Sequence, residues 1–305
     1  MEASPKVGIV LLNWNGYEDT ATCIESLADV QYDNRFVVVV DNGSSDGSGE
    51  RLADEFPDCT VLFNEENLGF SGGCNVGIEH CLENGADYVL LLNNDIEVSP
   101  DFLEPLVHTA ESHDDVAMVG GVIYEGRSEE IWDAGGELNY FTSKHTKYTE
   151  PQSTGEYSTE FVTCAMNLLS KEFLSEDRLD EEFFFGVEEI DLSYQASTAG
   201  WNLFINPRSE VYHDVGSALE ETFAGEELFS PLQKYHNTRG RLYHAKKNLA
   251  FHHRISYLLL CLTVYLAVYL WWSVRYGRTD IFYAHLLSLY DFYLGSEVRK
   301  PGFFD

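Results

Sequence analysis

The stretch Leu90–Val98, LLLNNDIEV, constrains this chain most. An apolar run stops abruptly at Asn93-Asn94-Asp95 and then resumes. Apolar runs bounded by polar residues suit the centre of a parallel sheet, so Tyr88–Leu92 is expected to be a buried strand. Asn93 and Asp95 then fall at its carboxyl end, where open α/β sheets bind ligands. A carboxylate there can hold a hard cation through oxygen, with a neighbouring amide oxygen helping. A plain Asn/Asp turn fits the same letters.

The pattern recurs upstream. Lys6–Asn13 is an apolar strand stopping at Asn13-Trp14-Asn15-Gly16. Tyr17–Leu27 reads as a helix, with Ala21, Ile24 and Leu27 on one face. Phe36–Val40 ends in DNGSSDGS, which places Asp41 at a strand terminus. Ser44 and Ser45 are expected to cap the next helix, with Asp46 near its N-terminus. Thr60–Phe63 is a short third strand. A Gly-rich loop, NEENLGFSGGCNVGIEHCLENG, then runs into a helix at about Gly72. Alternating strands and helices at this spacing predict a parallel sheet with right-handed crossovers. A carboxylate at Asp41 can accept hydrogen bonds from a base or ribose. A Gly-rich helix start lets backbone amides approach phosphate. A cation at Asp95 would neutralise a diphosphate. Together these describe a nucleotide-diphosphate site. GFSGGCNVG follows the third strand and does not match G-x-G-x-x-G, which argues against a dinucleotide-binding dehydrogenase.

The second half is less regular. Val116–Tyr124 reads as a strand whose Gly120-Gly121 permits close backbone approach. Residues 125–160 are polar and loop-rich, suited to an acceptor-facing region. Phe161–Ser170 resumes the core. Phe183–Phe185 then precede Glu188, Glu189 and Asp191 at the start of a helix over Glu188–Thr198. Carboxylates are favoured at a helix N-terminus by electrostatics alone. Beside an aromatic wall, one can also have its pKa raised and serve as a general base. A short strand, Asn202–Asn206, leads to EVYHDVGS. There His213 is either a satisfied polar residue or a metal or phosphate contact.

Charge and cysteines narrow the classes. The net charge of −32 excludes nucleic acid as a partner, which needs a basic face. Residues 246–305 carry seven Lys/Arg and four Asp/Glu, a net of +3, leaving −35 for residues 1–245. Such acidity fits a surface kept hydrated in strong salt, as in a halophile. Six cysteines show no zinc spacing, and reduced buried thiols are expected. No basic stretch precedes the first apolar run, so the acidic body is expected in the cytoplasm.

The tail reads as a membrane anchor. Ile255–Val274 carries no charge and has about the twenty residues a spanning helix needs. Trp271, Trp272, Tyr257 and Tyr276 suit an aromatic belt. The cations before it outnumber those just after it, which predicts a cytoplasmic catalytic side. Ile281–Leu294 is shorter, contains Asp291, and suits an interfacial helix. The basic helix Lys234–Lys247 either meets phosphates of a lipid carrier or is solvated.

Six stretches, IVLLNWNG, VVDNGSSDGS, NLGFSGGCNVGI, LLLNNDIEV, LDEEFFFGVEEIDLSYQASTAGW and VYHDVGS, run in that order across roughly residues 6–217. Together they resemble the inverting family-two glycosyltransferases of GT-A fold, in the rhamnosyltransferase-like branch. The resemblance implies an α/β GT-A domain over residues 1–245, with a mostly parallel central sheet flanked by helices. A membrane-anchoring tail over 246–305, with a transmembrane helix at about 255–274, follows. It implies that Asp41 holds the nucleotide base, with Asn13, Asn15, Ser44 and Asp46 on the same donor edge. Asn67, Gly69 and Asn75 match the Gly-rich nucleotide-binding stretch. Asn93, Asn94 and Asp95 occupy the Asp-x-Asp motif, so Asp95, with Asn93, would bind Mg²⁺ or Mn²⁺ bridging the donor diphosphate. Glu189 stands where the catalytic Asp is expected, with Glu188 and Asp191 as substitutes. His213 matches a histidine that approaches the metal or diphosphate. The implied activity is an in-line displacement: a base takes the proton of an acceptor hydroxyl, and the anomeric centre inverts. A tethered transferase of this kind implies a nucleotide-sugar donor and a lipid-linked acceptor. That acceptor would be a glycan on dolichol phosphate, as similar haloarchaeal enzymes build for N-glycosylated surface-layer protein. A dolichyl-phosphate sugar synthase and an inactive nucleotide-binding scaffold are the alternatives.

Overall fold

The apolar runs form strands, and the polar residues that end them gather along one rim. The computed structural model describes residues 4–139, 144–213, 221–223, 226–228, 230–295 and 298–299. The strands are β1 (Val7–Asn13), β2 (Arg35–Asp41), β3 (Thr60–Phe63), β4 (Tyr88–Leu92), β5 (Ile96–Val98), β6 (Val116–Glu125), β7 (Ile131–Asp133), β8 (Gly136–Asn139), β9 (Lys144–Lys147), β10 (Tyr157–Ser158), β11 (Met166–Ser170) and β12 (Asn202–His213). A small hairpin, β13 (Glu221–Phe223) and β14 (Glu226–Leu228), follows. The helices are α1 (Tyr17–Ala28), α2 (Ser48–Glu55), α3 (Gly69–Glu83), α4 (Leu103–Ser112), α5 (Lys171–Glu176), α6 (Glu188–Ala199), α7 (Pro231–Asn248), α8 (Phe251–Leu260), α9 (Leu266–Tyr276) and α10 (Thr279–Leu294). A π-helical turn, Cys261–Tyr265, joins α8 to α9.

The main sheet runs β10-β12-β6-β11-β4-β1-β2-β3, with β5 added to β12 and β7 to β6. The expected parallel half is present: β4, β1, β2 and β3 are all parallel. The other half is mixed. β11 lies antiparallel between β4 and β6. It follows a loop, with no helix to carry the chain back across the sheet, and only an antiparallel pairing is then reachable. The strand expected over Asn202–Asn206 continues to His213, with an irregular register between Ile205 and Glu210 that accommodates Pro207.

Both faces of the parallel half are buried, as continuous apolar strands require. Ile9, Leu11, Leu90 and Leu92 face one core, beside Ala21, Ile24 and Leu27 of α1. Val10, Val38, Val40 and Leu91 face the other, beside Cys74, Ile78 and Cys81 of α3. The six cysteines are free thiols. α3 starts at Gly69 rather than at about Gly72, and its glycines set how close it lies to β1. A Cβ at Gly73 would stand 2.4 Å from Leu12 Cδ1, and one at Gly77 would stand 2.4 Å from Val10 Cγ1. Gly77→Ala is therefore expected to destabilise the fold by about 1–3 kcal/mol despite the better helix propensity of Ala. Chemical denaturation of the two proteins measures this directly.

The tail forms one continuous helix, Phe251–Tyr276, 26 residues long and apolar enough to cross a membrane. It is longer than the expected 255–274 because His252, His253 and Arg254 extend its first turn. α10 covers the short apolar segment after it. Between sheet and tail lies α7, whose His236, Arg239 and His244 are buried, so this helix packs against the body rather than standing in solvent, while Lys246 stays exposed.

Candidate active site

β1 and β2 end side by side, with Asn13 opposite Asp41. Asn13 is fully buried and works as a clamp. Its Nδ2 bonds Asp41 Oδ1 at 2.7 Å and Ser48 Oγ at 2.9 Å, and Ser44 Oγ lies at 3.2 Å. Its Oδ1 accepts from Thr20 at 3.0 Å. A Cβ at Gly49 would stand 2.5 Å from Asp41 Cγ, so only glycine leaves room for this carboxylate. Asn15 adopts a left-handed conformation at φ 52°, which Asn tolerates. There its amide N donates to Ser44 Oγ at 2.9 Å and its Oδ1 accepts from Ser45 N at 2.8 Å. This corrects the capping expectation. Gly47 is the N-cap of α2, and Ser44 and Ser45 brace the β1 rim instead. Asp46 is exposed and folds back on Ser48, whose side-chain and backbone bonds hold its carboxyl below the usual range.

The Gly-rich stretch departs from expectation. Gly69 N donates to Asn67 Oδ1 at 2.8 Å, and Phe70 N donates to Phe184 O at 2.7 Å. The first two amides of α3 are thus bonded within the chain rather than turned to a phosphate. Asn67 Oδ1 also accepts from Asn42 at 3.1 Å. Asn75 gives its amide to Leu179 O at 2.8 Å and Glu181 at 3.1 Å, which ties α3 to the loop before α6.

Asp95 and His213 meet because β5 pairs antiparallel with the end of β12, His213 opposite Ile96. Asp95 Oδ1 lies 3.0 Å from His213 Nε2. The two are close enough to form an ion pair, while neither Asp95 Oδ1 nor His213 Nδ1 has a hydrogen-bond partner. Neighbouring ligands of an octahedral cation with bonds of about 2.1 Å stand about 3.0 Å apart. The pair therefore has the spacing and the unsatisfied oxygen of a divalent-cation site. Among the described residues no group of three or more His, Cys, Asp or Glu side chains gathers where it could hold a metal ion, so Asp95 and His213 supply only part of a coordination shell. Trp132 meets His213 edge-on at 4.7 Å, and Lys147 Nζ lies 3.1 Å over the Trp132 ring. Lys147 also lies 3.7 Å from Asp133. Burial pushes the Asp133 carboxyl up to about 7, against the pull of Lys147. Residues 214–217, the rest of the VYHDVGS stretch, lie outside the described residues.

The start of α6 sorts its carboxylates. Gly186 and Val187 both lie at positive φ, 75° and 82°, and such a conformation strains a β-branched residue. From this turn Glu188 points inward. Burial, helped by the neighbouring Glu189, pushes its carboxyl up to about 8, and its Oε2 has no partner. Glu189 stays half-exposed and accepts from Thr163 Oγ1 at 2.8 Å and Cys164 N at 3.3 Å. Asp191 is not free to act as a base, contrary to expectation. It bonds Gln195 at 2.6 Å, His244 at 2.9 Å and Lys247 at 3.0 Å, and also Asn248. Its burial works against ionisation, yet His244 and Lys247 hold its carboxyl below the usual range.

Glu188 gives a pH prediction. Its carboxyl keeps its proton when folded but loses it near pH 4.5 when unfolded, so it lowers stability as pH rises from there to about 8. Glu188→Gln is expected to be near-neutral at pH 4.5 and to stabilise by about 2–4 kcal/mol at pH 8. Paired thermal melts across that range check it.

One chain of contacts links the rim. Asp41 bonds Asn13, Asn13 bonds Thr20, and Thr20 accepts from Asn94 Nδ2 at 2.8 Å. Asn93 N bonds Ala165 O at 2.9 Å, next to the Thr163 that holds Glu189. Asp41, Asp95 and Glu189 thus border one sheet edge. A cleft of about 480 Å³ between α7 and α10, lined by Glu182, Arg239, Lys246 and Asp291 among others, shares no residue with this rim. Thr20, Trp132, Asp133, Lys147 and Thr163 are not singled out by the sequence. No local pattern marks them, since tertiary packing of strands, α1 and the loop before β11 brings them here.

Comparison with known proteins agrees. The profile of Glycosyl transferase family 2 matches residues 8–177. The chain is similar to the glucosyl-dolichyl phosphate glucuronosyltransferase of Haloferax volcanii, 31% identical over 123 residues, covering 39% of this chain and 38% of that protein. It therefore spans well under half the length of that relative. It is also similar to the dTDP-rhamnosyl transferase RfbF of Shigella flexneri, 22% identical over 228 residues, covering 73% of this chain and 74% of that protein. Among solved structures, the mannosyltransferase PcManGT from Pyrobaculum calidifontis, in complex with GDP-Man and Mn²⁺, superposes with a TM-score of 0.55. That match covers 97% of this chain and 89% of that one at 11% identity, so it speaks to the fold. The chain belongs to glycosyl transferase family 2 and has the GT-A fold.

Proposed function

We propose that the chain is an inverting transferase. It moves a sugar from a nucleotide-diphosphate donor to a hydroxyl of a lipid-linked glycan at the cytoplasmic face of the membrane. The observation that carries this is Asp95 Oδ1, buried without a hydrogen bond 3.0 Å from His213 Nε2, on the same rim as Asp41 and Glu189. Asp41, fixed by Asn13, accepts hydrogen bonds from the donor base, and Asn15 and Ser44 shape the edge against which it lies. Asp95 and His213, with the Asn93 amide, would hold Mg²⁺ or Mn²⁺. That ion, when bound, supplies positive charge for the diphosphate leaving group. Glu189, held by Thr163, takes the proton of the acceptor hydroxyl as it attacks the anomeric carbon. Glu188 keeps its own proton at neutral pH and leaves that role to its neighbour.

The lipid-linked acceptor, and a place in archaeal N-glycan assembly, draw support from the Haloferax relative that acts on glucosyl-dolichyl phosphate. The acidic composition and the apolar tail point the same way. Mass spectrometry of lipid-linked glycans from a deletion strain tests this. A glycan truncated by one sugar supports the reading. Loss of a monosaccharyl lipid makes the chain a dolichyl-phosphate sugar synthase, and an unchanged pool makes it a scaffold.

A further inference from the structure

The apolar helix Phe251–Tyr276 does not stand clear of the catalytic body. α7 is fastened to that body. His236 stacks on Phe184 at 4.9 Å, Arg239 pairs with Glu182 at 3.1 Å, and His244 and Lys247 bond Asp191 at 2.9 and 3.0 Å. The apolar helix runs back along α7. Leu242, Ala245 and Leu249 share a buried core with Tyr257, Cys261 and Leu289, and Lys234 near the other end of α7 reaches Tyr269. α10 closes the third side. His285 Nε2 donates to Cys261 O at 3.2 Å, and Tyr235 donates to Asp291 at 3.0 Å, which also pairs with Arg299 at 2.8 Å. From Tyr257 to Tyr269 the helix rises about 18 Å, and it keeps this polar company throughout. A path across the bilayer would carry Lys234, Asp291 and Arg299 into hydrocarbon with it, where ionised groups are costly.

The helix is also one-sided. Tyr257, Cys261 and Ser273 are buried, whereas Ile255, Leu259, Leu262, Leu270, Trp271 and Val274 are exposed. The π turn Cys261–Tyr265 adds a residue between its halves. One residue turns a helix by about 100°, and that extra step brings the buried faces of α8 and α9 into line. α10 carries its own stripe: Tyr283, Leu286, Tyr290, Tyr293 and Leu294 are exposed at helical spacing.

We propose that α8, α9 and α10 lie in the plane of one membrane leaflet as a platform beneath the catalytic domain, and that the chain does not cross the bilayer through them. A lipid leaflet is the occupant that charge favours. Lys246, Arg254 and Arg275 accompany the apolar faces, and the tail is the cationic part of an acidic chain. A second copy would bring another net charge of −32 against the first. Trp271 and Tyr290 suit the headgroup level. This rests on the membrane association of the proposed function but not on its chemistry.

The test labels His252→Cys and Thr279→Cys, one on each side of the apolar helix, in the full chain. A membrane-impermeant maleimide is added to sealed right-side-out and inside-out vesicles from expressing cells, with the unmodified chain as background. The platform predicts that both positions label in the same vesicle orientation, and that detergent raises labelling there less than twofold. Labelling of the two positions in opposite orientations overturns it, as does a chain that stays with neither vesicle. The unmodified chain gives a second reading: alkaline carbonate releases a platform from membranes and leaves a spanning helix behind. Transferase activity enters neither measurement, so a failed platform and a failed function are told apart.

Discussion

Asp95→Ala is expected to lower sugar transfer by about 10³-fold while leaving the fold intact. The side chain makes no hydrogen bond through its buried Oδ1, so truncation breaks no hydrogen bond there and gives up only the close contact with His213. What it removes is the carboxylate that lies 3.0 Å from His213, and with it the capacity to hold a divalent cation. The same variant separates binding from chemistry. Mn²⁺ together with a nucleoside diphosphate at 100 times its Kd should stabilise the native chain by about 2.7 kcal/mol through mass action. Asp95→Ala should lose that stabilisation and melt at the same temperature with or without the ion. A variant that keeps its Mn²⁺-dependent shift places the cation elsewhere.

Glu189→Gln is expected to cost about 10²–10⁴-fold in kcat with little change in the donor KM. The amide has nearly the shape of the carboxylate and can still accept from Thr163, so position is kept and basicity is lost. The paired control is Glu188→Gln, which should retain transfer near neutral pH because the native Glu188 already holds its proton there. Equal loss in both variants would mean that the two carboxyls act as a unit. Loss in Glu188→Gln alone would exchange their roles.

Much of this rim was legible in the chain itself. Asn13, Asp41 and Asp95 announce themselves because each ends an apolar run, and in a sheet buried on both faces such an ending has to lie at the edge. The Glu188-Glu189 pair was legible as a helix start, but the choice between them was not. It depends on the positive φ of Gly186 and Val187, which turns one carboxyl inward and the other toward Thr163. The Gly-rich run misled for a related reason. Glycine signals close approach without naming what approaches, and at Gly73 and Gly77 it is β1 rather than a phosphate. Asp191 looked like a third candidate base until α7, 53 residues further along, supplied His244. The His213–Asp95 contact depends on the antiparallel pairing of β5 with β12, which no local pattern encodes.

The central claim is that Asp95 and His213 form one half of a cation site completed by the donor. Diffraction from crystals grown with Mn²⁺ and a nucleoside diphosphate, recorded at the manganese edge, tests it most directly. An anomalous peak within bonding distance of both Asp95 Oδ1 and His213 Nε2, with the diphosphate on its far side, is the predicted result. A bound nucleotide with the manganese peak elsewhere, or with none, would contradict it.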